Sequence, residues 1–445
     1  YPPDGPGRGG YPPDGPGRRG GYPPDGPGRG GYPPDDHGPG GYYSPRGPGR
    51  GRGERGAVPP TRGRKRKRRP LWSRLWSRRW FKVTMAAVLA LLLWVSWSVG
   101  HALTNPGGGT VAERLAEWAR DHYLGPVVTL GEWITYKQPQ VGGKPSFALT
   151  GPSAAVRAAK ARARHKATIY PAPAPLQPLV AHPLPGEGTW RVLGTAKGQP
   201  AIFGTYLRAS SIYTSYVAGV VSMNQHLVRF QLHPGAEDPG PGHWGAQPTI
   251  PPARRLGLLA TFNNGFKIAT SGGGFYLNGT TSGTLTKGVA SVVYYKDGRI
   301  AIGNWGGSVT MTPDVVGVRQ NLHMVVAHGQ IPASVDFNTE TSWGATLGGG
   351  YYVWRSGIGI TRDGRIIFVY GPSLNVRELA TLLQHAGAVT AMELDINPDW
   401  MSYMYYLPKR DPANPTPVNL LPDQMQPPDR YYGLASRDFT AVYAR

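Results

Sequence analysis

The chain has 445 residues, no cysteine, 48 Lys and Arg against 26 Asp and Glu, and 64 Gly with 46 Pro. Lack of cysteine excludes a disulfide framework, a thiol nucleophile and a zinc ribbon, and a Gly and Pro share of about a quarter exceeds what one compact domain carries. Both excesses are local: 36 of the 110 Gly and Pro lie in residues 1–60, and residues 1–82 hold +13 of the net charge of +22, so the rest of the chain has an ordinary folding composition.

Residues 1–41 repeat Tyr-Pro-Pro-Asp-Gly-Pro-Gly-Arg from Tyr1, Tyr11 and Tyr22, and in degraded form from Tyr32. The unit has no aliphatic residue to bury, which predicts a disordered tail over residues 1–60 with polyproline II character. Its Tyr and Arg spacing also suits weak multivalent stacking or a proline-recognition partner, a cytoplasmic interaction scaffold. Residues 61–82 follow, with the basic run Arg62–Arg69 and Trp72, Trp76 and Trp80 among further arginines. Alone, this segment reads as a nucleic-acid patch.

Its neighbour argues otherwise. From Val83 to Leu103 there is no charged side chain, and roughly 20 such residues span a bilayer as a helix. With the basic residues crowded on the N-terminal flank, the positive-inside rule puts residues 1–82 in the cytoplasm and the chain after about residue 104 outside. The tryptophans then form an interfacial belt, and residues 62–103 contact membrane lipid. A cleaved signal peptide, with small residues at Gly100 and Ala102, is the rival reading, and an 82-residue basic leader speaks against it. No nucleic-acid partner is expected for the segment outside.

Residues 104–185 read as a stalk. Val111, Leu115, Trp118 and Ala119 recur at helical spacing, and Gly125-Pro126 ends that helix. Residues 153–166 form a second, basic helical candidate, and Pro171, Pro173, Pro175, Pro178, Pro183 and Pro185 make a stiff spacer. From residue 186 to 445 the texture is β-rich, and its length suffices for one α+β domain with a largely antiparallel, mixed sheet core and a few helices. Asp297-Gly298 and Asp363-Gly364 join apolar runs as hairpins, with the dipeptide that type I′ turns use. Asn375 and Glu378 open a helix that Gly387 stops, and the apolar run Ala388–Ile396 reads as a strand.

That run carries the densest chemistry. In a strand, Glu393, Asp395 and Asn397 share one face, with about 6.6 Å between alternate Cα atoms. Such a carboxylate pair suits acid and base work at a glycosidic bond, or oxygen ligation of a divalent cation at Glu393/Asp395, or an ordinary solvated face. No other cofactor is implied. Two glycine-rich turns accompany it, Asn263-Asn264-Gly265-Phe266 with Gly272–Gly274, and Gly348–Gly350 ahead of Arg355-Ser356. Their backbone amides can cradle a phosphate that Arg355 clamps. HExxH, GxSxG, Walker A and a strand-borne GxGxxG are all absent from the sequence, so metalloprotease, α/β-hydrolase and nucleotide-dependent readings have no support.

Taken in order, Asn263–Phe266, Gly272–Tyr276, Trp354–Gly359 before a strand–Asp-Gly–strand hairpin, a helix, and Ala391–Asp395 resemble the phosphodiester glycosidase family, over roughly residues 190–445. The resemblance implies hydrolysis of the bond between an anomeric carbon and a phosphate oxygen, by a secreted or membrane-tethered domain. It implies acid, base or nucleophilic roles for Asp395 and Glu393, phosphate neutralisation by Arg355, and substrate contacts from Asn263, Asn264, Gly265, Ser356, Asn397 and His328. Family members carry Asn-Gly-Gly-Phe where this chain has Asn263–Phe266, Asp and a triple glycine where it has Asp395-Ile396-Asn397-Pro398, and Asp-Gly near His328-Gly329. The expected partner is a cell-envelope glycopolymer or other glycosyl phosphodiester. The Ile396 and Pro398 departures leave two outcomes open: a site remodelled for another substrate, or an envelope-binding module without turnover.

Overall fold

The uncharged stretch folds as the body of α1 (Arg79–Thr104), 26 residues with no buried side chain. At 1.5 Å per residue it is about 39 Å long, long and apolar enough to cross a bilayer. The computed structural model describes residues 79–104, 111–128, 130, 138–149, 170–337, 343–344 and 351–445. The Tyr-Pro-Pro repeats, the basic run 62–69, Trp72, Trp76, the helical candidate 153–166 and the Gly348–Gly350 turn lie outside those residues.

The expected amphipathic helix is present as α2 (Val111–Asp121). It ends before the Gly-Pro pair, where Tyr123 takes a left-handed φ of 63°. Residues 125–128 are again helical, with Pro126 in the opening turn, where its missing N–H costs nothing. The proline-rich stretch expected as a stiff spacer lies along the domain surface. Trp190 Nε1 donates to Ala174 O at 2.8 Å, Arg365 Nη2 donates to Pro171 O at 2.5 Å, and Tyr170 stacks on His226.

The rest is β-rich, as its turn-punctuated apolar runs require. The first strands are β1 (Arg191–Ala196), β2 (Gln199–Leu207), β3 (Ala218–Asn224), β4 (Val228–His233), β5 (Leu258–Asn263) and β6 (Phe275–Leu277). Then come β7 (Thr280–Ser282), β8 (Ala290–Tyr295), β9 (Ile300–Asn304), β10 (Val315–Gln320), β11 (Met324–Val326), β12 (Val353–Thr361) and β13 (Arg365–Leu374). Helix α3 (Val376–His385) precedes β14 (Ala388–Glu393), β15 (Tyr403–Leu407), β16 (Thr416–Asn419) and β17 (Phe439–Ala444). They form a seven-stranded sheet, β1-β2-β3-β13-β12-β14-β11, and two five-stranded sheets, β7-β6-β10-β8-β9 and β16-β15-β5-β17-β4. Every ladder between these strands is antiparallel.

Period-2 alternation assigns the two faces of the large sheet. Ile366, Phe368 and Met392 join the core shared with the other two sheets, through Phe262, Phe275, Val292 and Tyr403. Ile367, Val369 and Ala391 face the other way, under Leu379 and Leu383 of α3. That helix starts where expected: the Glu378 N–H donates to Asn375 Oδ1 at 2.8 Å and the Asn375 N–H to Glu378 Oε2 at 3.1 Å, a full capping box. Gly387, at φ 97°, stops it.

Both Asp-Gly hairpins form, with a different turn. Only Gly298 and Gly364, each at φ 80°, are left-handed, whereas a type I′ turn needs positive φ at both central residues. Tyr295 O accepts from the Gly298 N–H and Thr361 O from the Gly364 N–H, closing type I turns with glycine at the bulge position.

Candidate active site

The expected strand Ala388–Ile396 ends at Glu393. There the chain changes its pairing: the Leu394 N–H donates to Ser356 O and the Ser356 N–H donates to Asp395 O, both at 2.8 Å. Two residues thus face one, as in a β-bulge, and alternation is broken between Glu393 and Asp395. Asp395 Oδ1 then accepts the N–H groups of Ile396 and Asn397 at 2.7 and 2.9 Å, turning the chain ahead of Pro398. Asn397 Oδ1 accepts from the Asp399 N–H at 3.0 Å and continues the turn.

Glu393 faces α3. It is wholly buried, and its Oε1 accepts from Arg355 Nη1 at 2.6 Å. Arg355, also wholly buried, donates from Nε to Leu374 O at 2.9 Å, beside the cap of α3. Arg355 Nη2 and Glu393 Oε2 have no hydrogen-bond partner among the described residues. Burial raises the Glu393 carboxyl above its ordinary range against the opposing pull of Arg355, and the nearby Asp395 charge adds to the rise.

Asp395 has different company. Burial pushes its carboxyl up to about 6, against the pull of Arg437, the two backbone N–H groups and Arg319. Arg437 lies over the Trp400 ring, 4.8 Å from guanidinium to centroid. Its Nη2 meets Glu117 Oε1 of α2 at 3.0 Å and its Nη1 stands 3.8 Å from Asp238 Oδ2, while Nε and Nη1 are buried without a hydrogen bond. An acid poised near neutrality and a cation with two buried, unbonded donors therefore share one environment.

The Asn-Asn-Gly-Phe segment supports this strand end from behind. Asn263 Nδ2 donates to Ser356 Oγ at 3.0 Å, and that hydroxyl oxygen also accepts the Asp395 N–H at 3.0 Å. Asn264 Nδ2 donates to Asp438 Oδ2 at 2.8 Å, an oxygen shared with Arg319 Nε at 2.9 Å, and Asn264 Oδ1 accepts from Thr440. Asn321 Nδ2 donates to the carbonyls of Glu393 and Leu394 at 3.0 and 2.8 Å, while its Oδ1 accepts the Phe266 N–H. A Cβ on Gly265 would lie 2.7 Å from Asn321 Cγ and Oδ1, so only glycine lets these two segments meet.

Of the residues picked from sequence, Asn263, Asn264, Gly265, Ser356, Arg355, Glu393, Asp395 and Asn397 are thus brought together. His328 is not: its neighbour Gly329 donates its N–H to Val389 O and accepts from Gln384. That places it at the opposite end of β14 from Glu393, four residues or about 13 Å away. Arg319, Asn321, Asp438, Trp400 and Arg437 join the site without having been singled out. The one sign of them was polar residues at the ends of apolar strands, as in Arg319-Gln320-Asn321 closing β10 and Arg437-Asp438 ahead of β17. No group of three His, Asp or Glu side chains placed to hold a metal gathers among the described residues.

Comparison with known proteins bears on this arrangement. Residues 257–395, from β5 to Asp395, match the model of the phosphodiester glycosidase family. No curated protein sequence matches the chain. Among solved structures, the chain is similar to the catalytic domain of zebrafish N-acetylglucosamine-1-phosphodiester alpha-N-acetylglucosaminidase, auto-inhibited by its pro-peptide, at 13% identity and a TM-score of 0.38 over 57% of this chain and 88% of that one. It is also similar to a hypothetical protein from Synechocystis, at 12% identity and a TM-score of 0.30, over 56% of this chain and 63% of that one. A putative exported protein from Burkholderia pseudomallei matches at 12% identity and a TM-score of 0.25, over 52% of this chain and 74% of that one. The segment that matches the phosphodiester glycosidase family model, residues 257–395, is the one that builds β5, the Asn-Asn-Gly-Phe support and the strand end at Asp395.

Proposed function

We propose that the chain is a membrane-anchored hydrolase that cleaves the bond between an anomeric carbon and a phosphate oxygen in cell-envelope glycosyl phosphodiesters. The observation that carries this reading is the setting of Asp395, whose carboxyl burial pushes up to about 6 against the pull of Arg437, a cation whose Nε and Nη1 are buried without a hydrogen bond. A phosphate leaving group is already a weak base and needs charge neutralisation more than a proton. Arg437 supplies that neutralisation, and ionised Asp395 attacks the anomeric carbon or takes a proton from the attacking water. Glu393 and Arg355 have no exposed surface and set the strand end in position; Asn263, Asn264, Ser356 and Asn321 hold it there. The basic flank ahead of α1 supports a cytoplasmic N-terminus with the domain outside the membrane.

The test is sugar release by the full chain in detergent from a panel of glycosyl phosphodiesters, with phosphate-free glycosides beside them. Turnover of the phosphodiesters alone is expected; none on any of them contradicts a hydrolase. A second reading has its own observation: Asp395 is 3% exposed and bulky Ile396 follows it, so the site is tightly closed. A binding module would retain Arg437-dependent affinity for envelope glycopolymer without turnover.

A further inference from the structure

A cavity opens at the other end of the large sheet. Thr361 lines it and pairs with Ala388 at the start of β14, five residues or about 17 Å along that strand from Glu393. Ser222 of β3 and Ile367 of β13 are cross-strand partners on the face under α3, and together they form the cavity floor. Pro171–Ala174 make one wall, and Ala386 and Gly387 at the end of α3 make another. The space between them is about 600 Å³, within the range of small-ligand pockets.

The proline strap is anchored at both ends. Tyr170 stacks on the His226 ring at 5.3 Å, and Trp190 Nε1 donates to Ala174 O at 2.8 Å. Arg365 ties the strap to the sheet, donating from Nη2 to Pro171 O at 2.5 Å and from Nε to Asp363 Oδ2 at 3.2 Å. Both partners line the cavity, as Arg365 itself does, so the guanidinium is part of its wall. Arg365 is only 8% exposed and Ser222 is fully buried, and neither Arg365 Nη1 nor Ser222 Oγ has a hydrogen-bond partner among the described residues. Each such donor carries a desolvation cost that an acceptor placed in the cavity removes.

Charge narrows what that acceptor is. Arg362 lines the cavity beside Arg365, against the single carboxylate of Asp363 and the partial negative end of α3. The balance is positive, while the prolines and alanines of the strap offer apolar surface. We propose that this cavity is a ligand site, separate from the Asp395 turn, for a small organic anion. Its phosphate or carboxylate head would sit against Arg365 Nη1, Ser222 Oγ and Arg362, with a compact body along Pro171–Ala174. The inference goes beyond the hydrolase reading and does not depend on it.

The test is calorimetric titration of the full chain in detergent with glucose 6-phosphate, gluconate and glucose, which share a six-carbon body and differ in charge. About 0.15 M sodium chloride screens scattered surface charge. Saturable binding of at least one anion and none of glucose is expected, and the tighter anion identifies the head group. Arg365→Gln should weaken that binding at least tenfold, because a charge-assisted bond is lost. Arg365 also holds the strap, so Ser222→Ala is the second variant. It removes an unpaired hydroxyl, should leave the fold no less stable in a urea titration, and should weaken the anion about fivefold. A cavity that holds only water gives no saturable anion binding and overturns the inference. Glucose bound as tightly as the anions, or anion binding that Ser222→Ala leaves unchanged, overturns it as well.

Discussion

Glu393 and Asp395 are two residues apart at the end of one chain segment, yet one is sealed against Arg355 under α3 and the other lies in the field of Arg437 and Arg319 where the chain turns. Burial raises both carboxyls, so burial alone does not separate them. Their partners do. Arg355 bonds Glu393 and the Leu374 carbonyl and leaves one buried donor, Nη2, unbonded, whereas Arg437 pairs with Glu117 and leaves two, Nε and Nη1. A β-bulge of one residue suffices to divide a buried structural ion pair from a chemically poised acid.

The sharpest way to break this contrast is to remove cations one at a time. Arg437→Ala should lower kcat/KM for phosphodiesters by a hundredfold or more, since it removes charge-assisted bonds to the leaving phosphate, and should spare phosphate-free glycosides; about 3 kcal/mol is the scale of such a loss. Equal loss on both substrate types would assign Arg437 a purely structural role. Breaking the buried pair acts on folding instead: Arg355→Met should destabilise by about 3 kcal/mol in a urea titration because it strands Glu393 in the core. Adding Glu393→Leu should recover most of that, and a double variant no better than the single one contradicts a mainly structural pair.

Smaller effects probe the supports. Gly265→Ala forces Asn321 off the Glu393 and Leu394 carbonyls and should cost about 1–3 kcal/mol in stability, with turnover falling because the Asp395 turn is displaced. Asn375→Ala removes the cap of α3 and should cost about 1 kcal/mol. Its turnover should stay near wild type, because the cap lies on the Arg355 side of the sheet.

Much of this was legible in the sequence, for reasons that differ by residue. The α1 span, the capping box at Asn375 and Glu378 and the antiparallel β texture follow from local pattern, which short-range physics decides. The ordered motifs pointed to Asn263, Arg355, Ser356 and Asp395 together, and the fold does assemble them. Alternation placed Glu393 and Asp395 on one face, because a bulge depends on Ser356 bonding to both Leu394 and Asp395 and leaves no trace in the run itself. Asp438 and Arg437 were invisible because their partners are distant in sequence: Asp438 binds Asn264, 174 residues away, and Arg437 binds Glu117, 320 residues away. His328 was carried by the family resemblance alone, and the turn it occupies lies at the other end of β14.

The central claim, that Asp395 is held protonatable near neutrality for chemistry at a cost to the fold, is tested most directly by comparing the stability of wild type and Asp395→Asn across pH. The sign follows from linkage. A carboxyl at about 6 in the folded protein against about 3.9 unfolded holds its proton more tightly when folded, so its contribution to stability declines as pH rises from about 4 to 6 and stays low above that. The ceiling of that loss is about 3 kcal/mol. Asparagine keeps an acceptor for the Ile396 and Asn397 N–H groups and cannot ionise. Asp395→Asn should therefore match wild type at pH 4, be more stable by about 1–3 kcal/mol at pH 7.5, and have no turnover at either pH. A variant that is less stable than wild type at pH 7.5, or that still turns over substrate, contradicts the account.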